Sequence, residues 1–311
     1  MKYSVAIDIG GTNTRVALAD EELNIIERKQ FATDSENPDV TLGKIAEVIK
    51  SFDCDIVGAG MSCPGPLDLI NGKILTPPNL KGQWHNLKVA EELSKLINKP
   101  VYLENDANLA GLAEAVVGEG KDYNYVQFFT VSTGLGAGFV INKEIYHGAH
   151  GFGNEVANCV MMKDGPSHGS IIPGGIEAIS SGTAITSRAV KAGLDVKHAG
   201  EVNDLAKAGN EVAKQIMDDA KEYLANFIGV VYGYADPEIV ILGGSVALKI
   251  DGFVEEVEAL AKVDIIKAVH ELRTKCRTQK EADLTFLELY NSGEYLKDVY
   301  KIIGKVSARS T

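Results

Sequence analysis

Apolar residues dominate Ser4 to Ile9, resume from Thr14 to Ala19 beyond a glycine-containing break, and return between Asn24 and Phe31. Short apolar runs of this kind, bounded by Gly, Asn and Asp, predict three successive strands. The break itself reads Asp8-Ile9-Gly10-Gly11-Thr12-Asn13-Thr14. A Rossmann or P-loop unit requires a helix to open at its last glycine. Here the continuation Arg15-Val16-Ala17-Leu18 is strand-like, ends in Asp20-Glu21-Glu22, and carries no P-loop lysine.

The pattern then changes period. Leu42, Ile45, Ala46, Val48 and Ile49 share one side of a helix predicted over Val40 to Phe52. A buried-type strand is predicted at Ile56 to Met61, followed by a Pro- and Gly-containing loop from Cys63 to about Trp84 and a helix from Leu87 to Ile97. Val101 to Glu104 reads as a strand that runs into Asn105-Asp106-Ala107-Asn108 and a helix through Val116. Strands alternating with helices indicate an α/β sheet protein. A second strand–turn–strand unit follows: Tyr125 to Val131, the turn Ser132-Thr133-Gly134-Leu135-Gly136-Ala137-Gly138, then Phe139 to Ile141. It echoes the first and suggests two related halves facing one nucleotide. Helices are predicted over Gly182 to Ala192 and Val202 to Tyr234, a late strand over Pro237 to Val246, and a charged helical tail beyond Ala261.

Bulk properties narrow the function. The 311 residues, 45% hydrophobic and 24% charged, suffice for two domains or one large one. No run of about 18 apolar residues could span a bilayer, and the N-terminus lacks the apolar segment of a signal peptide. Four scattered cysteines suggest reduced thiols and a cytoplasmic location. A formal charge of −12 opposes nonspecific nucleic-acid binding. It does not oppose ATP, which needs only local backbone N–H groups and a magnesium ion.

Candidate chemistry concentrates in a few segments. Adjacent Gly10 and Gly11 let backbone amides approach an anion, and Thr12 and Asn13 add side-chain donors. Asp8 ends a buried strand, where an unpaired carboxylate is costly, and a magnesium ion held through water would resolve that. A plain hairpin turn with a strand-end Asp is the alternative. Thr133 and Gly134 belong to a similar donor-rich cradle. Asp106, at the exit of a strand, stands where α/β sheets bind ligands and could accept a sugar hydroxyl proton, with Asn105 holding a neighbouring hydroxyl. Alternatively one of this pair is the N-cap of the following helix. Glu155 and Glu177 suit capture of sugar hydroxyls, or are ordinary surface glutamates. His147, His150 and His168 lack cysteines at metal-ligand spacing.

Together these segments, with Pro64-Gly65-Pro66, Pro78-Asn79-Leu80, Trp84 and Leu242-Gly243-Gly244, resemble the ROK family of sugar kinases and repressors. That family lies within the actin-like ATPase superfamily. The resemblance spans roughly residues 3 to 250 and implies a two-lobed α/β, ribonuclease H-like fold with a central cleft. The lobes would be residues 1–115 and 116–311. It implies ATP-dependent phosphorylation of a hexose, at the 6-hydroxyl of glucose or a relative such as N-acetylmannosamine. Asp106 would be the base. Gly65, Asn79, Asn105, Glu155, Asn158 and Glu177 would line the sugar pocket. Gly10, Gly11, Thr12, Asn13, Thr133 and Gly134 would hold phosphates, and Gly243 and Gly244 would back the adenosine. ATP and Mg2+ are the expected cofactors, and a homodimer without nucleic-acid or membrane partners is the expected assembly.

Two departures stand out. Family members usually carry Glu-x-Gly-His and a Cys-x-Cys-Gly-x-x-Gly-Cys-x-Glu zinc element. Asn158, His168, Ser170 and Gly175 replace the four ligands here, so no structural zinc is expected and the loop should be held by packing. Residues 262 to 311 also do not resemble the family's glycine- and alanine-rich C-terminal helix. A repressor of the same family is the competing reading, but Asp8 leaves no room ahead of it for a helix-turn-helix. A silent sugar-binding protein is a third.

Overall fold

The computed structural model describes residues 2–77 and 79–262, and residues 305–308 as backbone. The chain divides into two compact units, Met1–Leu109 with His147–Phe152, and Ala110–Tyr146 with Gly153–Thr311.

The first unit begins with β1 (Tyr3–Ile9), β2 (Asn13–Asp20) and β3 (Ile25–Ala32), then α1 (Pro38–Ser51) and β4 (Ile56–Cys63). Within the expected loop lie the short strands β5 (Leu67–Asp68) and β6 (Lys73–Ile74) and a single turn of 3-10 helix, Gly82–Trp84. α2 (Val89–Ile97), β7 (Val101–Asn105) and the start of α3 (Asp106–Val117) complete it. The sheet order is β3-β2-β1-β4-β7. β1, β2 and β3 are antiparallel, and β1, β4 and β7 are parallel. Strand alternation sends Val5, Ile7 and Ile9 into a core with Val16, Leu18, Met61, Leu42, Ile45 and Leu93. Each large aliphatic side chain there contributes about 1.5–3 kcal/mol of burial. Trp84 is fully buried and donates its indole N–H to Asp34 O at 2.8 Å, which seats the long loop on the core.

The second unit repeats the plan. β8 (Tyr125–Val131), β9 (Leu135–Ile141), β10 (Glu144–Ile145), β11 (Ile239–Gly243) and β12 (Lys305–Ala308) pair in the order β10-β9-β8-β11-β12. The helices are α4 (Ile176–Ser180), α5 (Gly182–Lys191), α6 (Ala199–Lys207), α7 (Glu211–Ala235) and α8 (Ser245–Lys249), with 253–262 also helical. Here both sheet faces are covered. Val126, Phe128, Ile239 and Ile241 meet Ala115, while Phe129, Val131, Val240 and Leu242 meet α7 residues such as Leu224, Phe227 and Ile228. One sheet order occurring twice is the mixed α/β, actin-like ATPase architecture that the resemblance implies.

Several expectations need correction. The second turn is shorter than predicted, because the strand resumes at Leu135 and places Gly136 and Gly138 opposite Thr130 and Phe128. The single helix expected over Val202 to Tyr234 is two helices. Gly209 takes φ +90°, and Asn210 caps α7 by accepting from Ala213 N at 2.9 Å. The late strand stops at Gly243, and Ser245 opens α8. The expected helical tail lies outside the described residues, apart from its first residues and Lys305–Ala308, which is a strand.

Candidate functional site

Strand register assembles a polar row on the open face of the first sheet. Arg15 lies opposite Asp8, Asp8 opposite Ser62, and Ser62 opposite Glu104. Since Val5, Ile7 and Ile9 point inward, Asp8 points the other way. Arg15 Nη1 donates to Asp8 Oδ2 at 2.7 Å and Ser62 Oγ to Asp8 Oδ1 at 3.3 Å. Asp8 thus makes the local hydrogen bonds of the alternative reading, and although it ends a buried strand its side chain is 47% exposed and carries its own cation. Each oxygen retains a lone pair, which suits a magnesium ion bound through water better than direct ligation.

In the adjoining turn, the Gly10 N–H is already used by Asn13 O at 2.9 Å. Among the described residues nothing claims the N–H groups of Gly11 and Thr12, so these two donors of the turn remain available. A β-carbon at Gly11 would stand 2.7 Å from Asn79 Cβ, so the phosphate-type turn and the Asn79 loop are in direct contact.

Asp106 opens α3 where β7 ends. Its side chain reaches solvent, yet burial still raises its carboxyl pKa, the Ala107 N–H opposes that shift, and the nearby charge of Asp8 adds to it. Asn105 proves to be the cap: its Oδ1 accepts from Ala107 N at 2.9 Å and Asn108 N at 3.2 Å. Its Nδ2 is left for other work, 3.8 Å from where a Gly65 β-carbon would be. Glu104, 13% exposed, anchors this corner. Oε1 accepts from Asn105 N at 2.8 Å and Asn108 Nδ2 at 2.9 Å, and Oε2 meets His147 Nε2 at 2.6 Å.

In the second unit the turn Ser132-Thr133-Gly134 is closed by Ser132 N to Gly134 O, 2.9 Å. Thr183 Oγ1 donates to Thr133 O at 2.6 Å. Glu177 sits against the same turn: its Oε2 accepts from Leu135 N at 2.8 Å, close to the 2.7 Å approach available to a Gly134 β-carbon. Glu155 is exposed, and Asn158 Oδ1 accepts from Ile172 N at 2.8 Å. The positions of the replaced ligands lie in a loop tied by backbone bonds, including Ile171 N to His168 O at 3.0 Å, Ile176 N to Cys159 O at 2.9 Å and Glu177 N to Ala157 O at 3.2 Å. Among the described residues no three His, Cys, Asp or Glu side chains converge as a metal group.

A cavity of about 490 Å³ opens beside this turn, lined by Ser132, Thr133, Thr183, His198, Ser245 and Lys249 among others. Its size is that of a small-molecule site. Gly243 and Gly244 do not line it. A β-carbon on Gly243 would strike the Phe128 ring at 2.8 Å, and one on Gly244, at φ +90°, would lie 2.5 Å from Val131 O. They are glycines for close packing behind the wall.

The sequence profile of the ROK family matches residues 4–284. The chain belongs to the ROK family. A glucokinase from Thermotoga maritima is 31% identical over 263 residues, covering 78% of this chain and 82% of that protein. An N-acetylmannosamine kinase from Salmonella heidelberg is 28% identical over 302 residues, covering 94% and 99%. The crystal structure of a ROK hexokinase from Thermus thermophilus superposes with a TM-score of 0.78 at 28% identity, covering 84% of this chain and 88% of that one.

For this ROK protein, sequence reasoning missed the wall of the cavity. Thr183, His198 and Lys249 sit near helix ends separated widely in sequence, and no local motif marks them. It also missed the Glu104–His147 pair. Glu104 was visible as a charged residue ending a strand, but its partner lies 43 residues away. Among the described residues no helix is long and apolar enough to cross a membrane.

Proposed function

We propose that this ROK protein transfers the γ-phosphoryl group of ATP to a hydroxyl of a hexose, with the 6-hydroxyl of glucose or N-acetylmannosamine as the acceptor. The observation that carries this reading is Asp106. It is a strand-end carboxylate whose pKa is raised by burial and by the charge of Asp8, the direction a general base needs. Relatives that carry the names glucokinase and N-acetylmannosamine kinase support the choice of acceptor.

In the proposed reaction Asp106 takes the proton of the acceptor hydroxyl as that oxygen attacks the γ-phosphorus and ADP departs. Asn105 Nδ2 donates to a neighbouring hydroxyl, and Gly65, Asn79, Glu155, Asn158 and Glu177 complete the sugar contacts. The Gly11 and Thr12 amides, with the Gly10 and Asn13 positions shaping the turn, and the Thr133-Gly134 turn bind phosphate oxygens. The cavity beside Thr133 takes the nucleoside. Magnesium, held by Asp8 through water, supplies charge neutralisation on the phosphates. We extend to this chain the cytoplasmic homodimer that the family resemblance implies.

A coupled ADP-release assay across hexoses and N-acylhexosamines tests the reading. Glucose or N-acetylmannosamine should release ADP. Binding of sugar and ATP without turnover for any acceptor would replace the kinase with a sugar-binding protein.

A further inference from the structure

The ammonium of Lys143 is surrounded by four backbone carbonyls: Ala115 O at 2.7 Å, Gly120 O at 3.2 Å, Lys121 O at 2.8 Å and Tyr123 O at 2.7 Å. An ammonium has three donors, so four oxygens form a coordination shell rather than a donor-by-donor match. Among the described residues Lys143 makes no ion pair, so its shell is neutral oxygen throughout.

The surrounding backbone is built for this shell. Ala115 lies in the last turn of α3, where carbonyls lose their helical partners and the helix dipole is negative. The Glu119 N–H that would serve Ala115 O in a longer helix goes instead to Glu114 Oε2 at 3.1 Å. The other three carbonyls belong to the tight loop after α3, closed by Lys121 N to Gly118 O at 3.2 Å and Tyr123 N to Gly120 O at 3.1 Å. A β-carbon at Gly120 would lie 2.8 Å from Val126 Cγ1, so that loop is seated firmly on β8.

Lys143 itself occupies a position that a lysine does not favour. It closes the two-residue turn between β9 and β10, with Asn142 at φ +53° and Lys143 at φ +68°. Turns with both central residues at positive φ belong to Asn and Gly. Asn fits the first position; the lysine at the second is explained by where its side chain ends.

We propose that Ala115, Gly120, Lys121 and Tyr123 form a site for a monovalent cation of ammonium or potassium size, which the chain fills with its own Lys143. Rings of carbonyl oxygens are how proteins replace the hydration shell of potassium. The oxygen distances exceed the 2.3–2.6 Å of calcium and the 2.0–2.1 Å of magnesium, which also prefer carboxylates. The tethered ammonium makes the C-terminal end of α3 independent of the ions in solution.

The experiment is thermal melting of the full chain and of Lys143→Met in sodium, potassium, ammonium and tetramethylammonium chloride at equal ionic strength. The parent protein should melt alike in all four salts. The variant should lose about 3–6 °C in tetramethylammonium and regain most of it in ammonium or potassium. A variant that melts like the parent, or one whose loss no cation restores, overturns the proposal. Should the variant not fold, acetylation of the parent protein followed by mass spectrometry decides. Lys143 should label far more slowly than the exposed Lys163; equal rates overturn the proposal.

Discussion

Glu104 joins His147 to the start of helix α3, with Oε2 at 2.6 Å from His147 Nε2 and Oε1 on the backbone of Asn105 and the amide of Asn108. This single carboxylate fixes the corner from which Asp106 projects. Replacing it by Ala leaves three donors without their acceptor, at about 1–3 kcal/mol for each one that stays buried. Glu104→Ala should lower the melting temperature by several degrees and reduce kcat. His147→Ala should cost less, because His147 is 43% exposed and water can replace it. If His147→Ala proved the more damaging of the two in melting experiments, the corner would not hinge on Glu104.

Asp106 offers a test that separates chemistry from stability. Its pKa is raised in the folded protein, first by burial. A carboxyl raised in this way disfavours the folded state when ionised, so its ionisation is a stability cost above the folded pKa that disappears as pH falls through it. Asp106→Asn should therefore lower kcat by about 100- to 10,000-fold while leaving the melting temperature at neutral pH equal or higher. Sugar and nucleotide binding should survive. Retained turnover would remove Asp106 from the role of base.

The same shift sets the acid limb of the rate profile. Since only ionised Asp106 can accept the hydroxyl proton, kcat/KM should fall with acidity at a pH above the ordinary aspartate range of about 4. A limb at or below that range would show that the environment does not tune this carboxylate.

Two glycine substitutions should part company. In Gly11→Ala the new methyl meets Asn79 Cβ at 2.7 Å and Asn79 O at 3.0 Å, so backbone must move. A loss of about 1–3 kcal/mol and raised KM values for sugar and ATP should follow. In Gly134→Ala the methyl meets the end of the Glu177 side chain at 2.7 Å, which can swing away. Melting should barely change, while the lost Leu135 N–H contact loosens the turn and raises the KM for ATP. Equal destabilisation by both would contradict these contacts.

Filling the cavity tests its occupant. Ser245 is exposed and lines it, so Ser245→Trp should fold normally. The KM for ATP should rise about tenfold or more, the equivalent of 1.4 kcal/mol, with little change in sugar affinity. Unchanged ATP kinetics would place the nucleoside elsewhere.

Much of this was decided by the sequence alone. The apolar runs at β1 and β2 predict strands that bury one face, the run at β8 one buried on both faces, and the glycine breaks follow from what turns need. Asp106 was marked by its place at the end of a strand, and the family by the order of its segments. The tertiary structure decided what each polar atom is free to do. Asn105 was read as either cap or ligand; its Oδ1 caps and its Nδ2 does not, a division visible only once α3 is in place. Asp8 was read as satisfied either by magnesium through water or by local hydrogen bonds, and strand register brought Arg15 and Ser62 beside it. Gly243 and Gly244 were expected to back the adenosine, and the structure adds why each is a glycine: a β-carbon would strike Phe128 or Val131. Glu177 was expected to reach for sugar, and one of its oxygens holds the turn at Gly134. Residue type and local spacing were legible throughout, while partners such as Ser62 for Asp8 and Leu135 for Glu177 come from segments 54 and 42 residues away, which only the folded chain brings within reach.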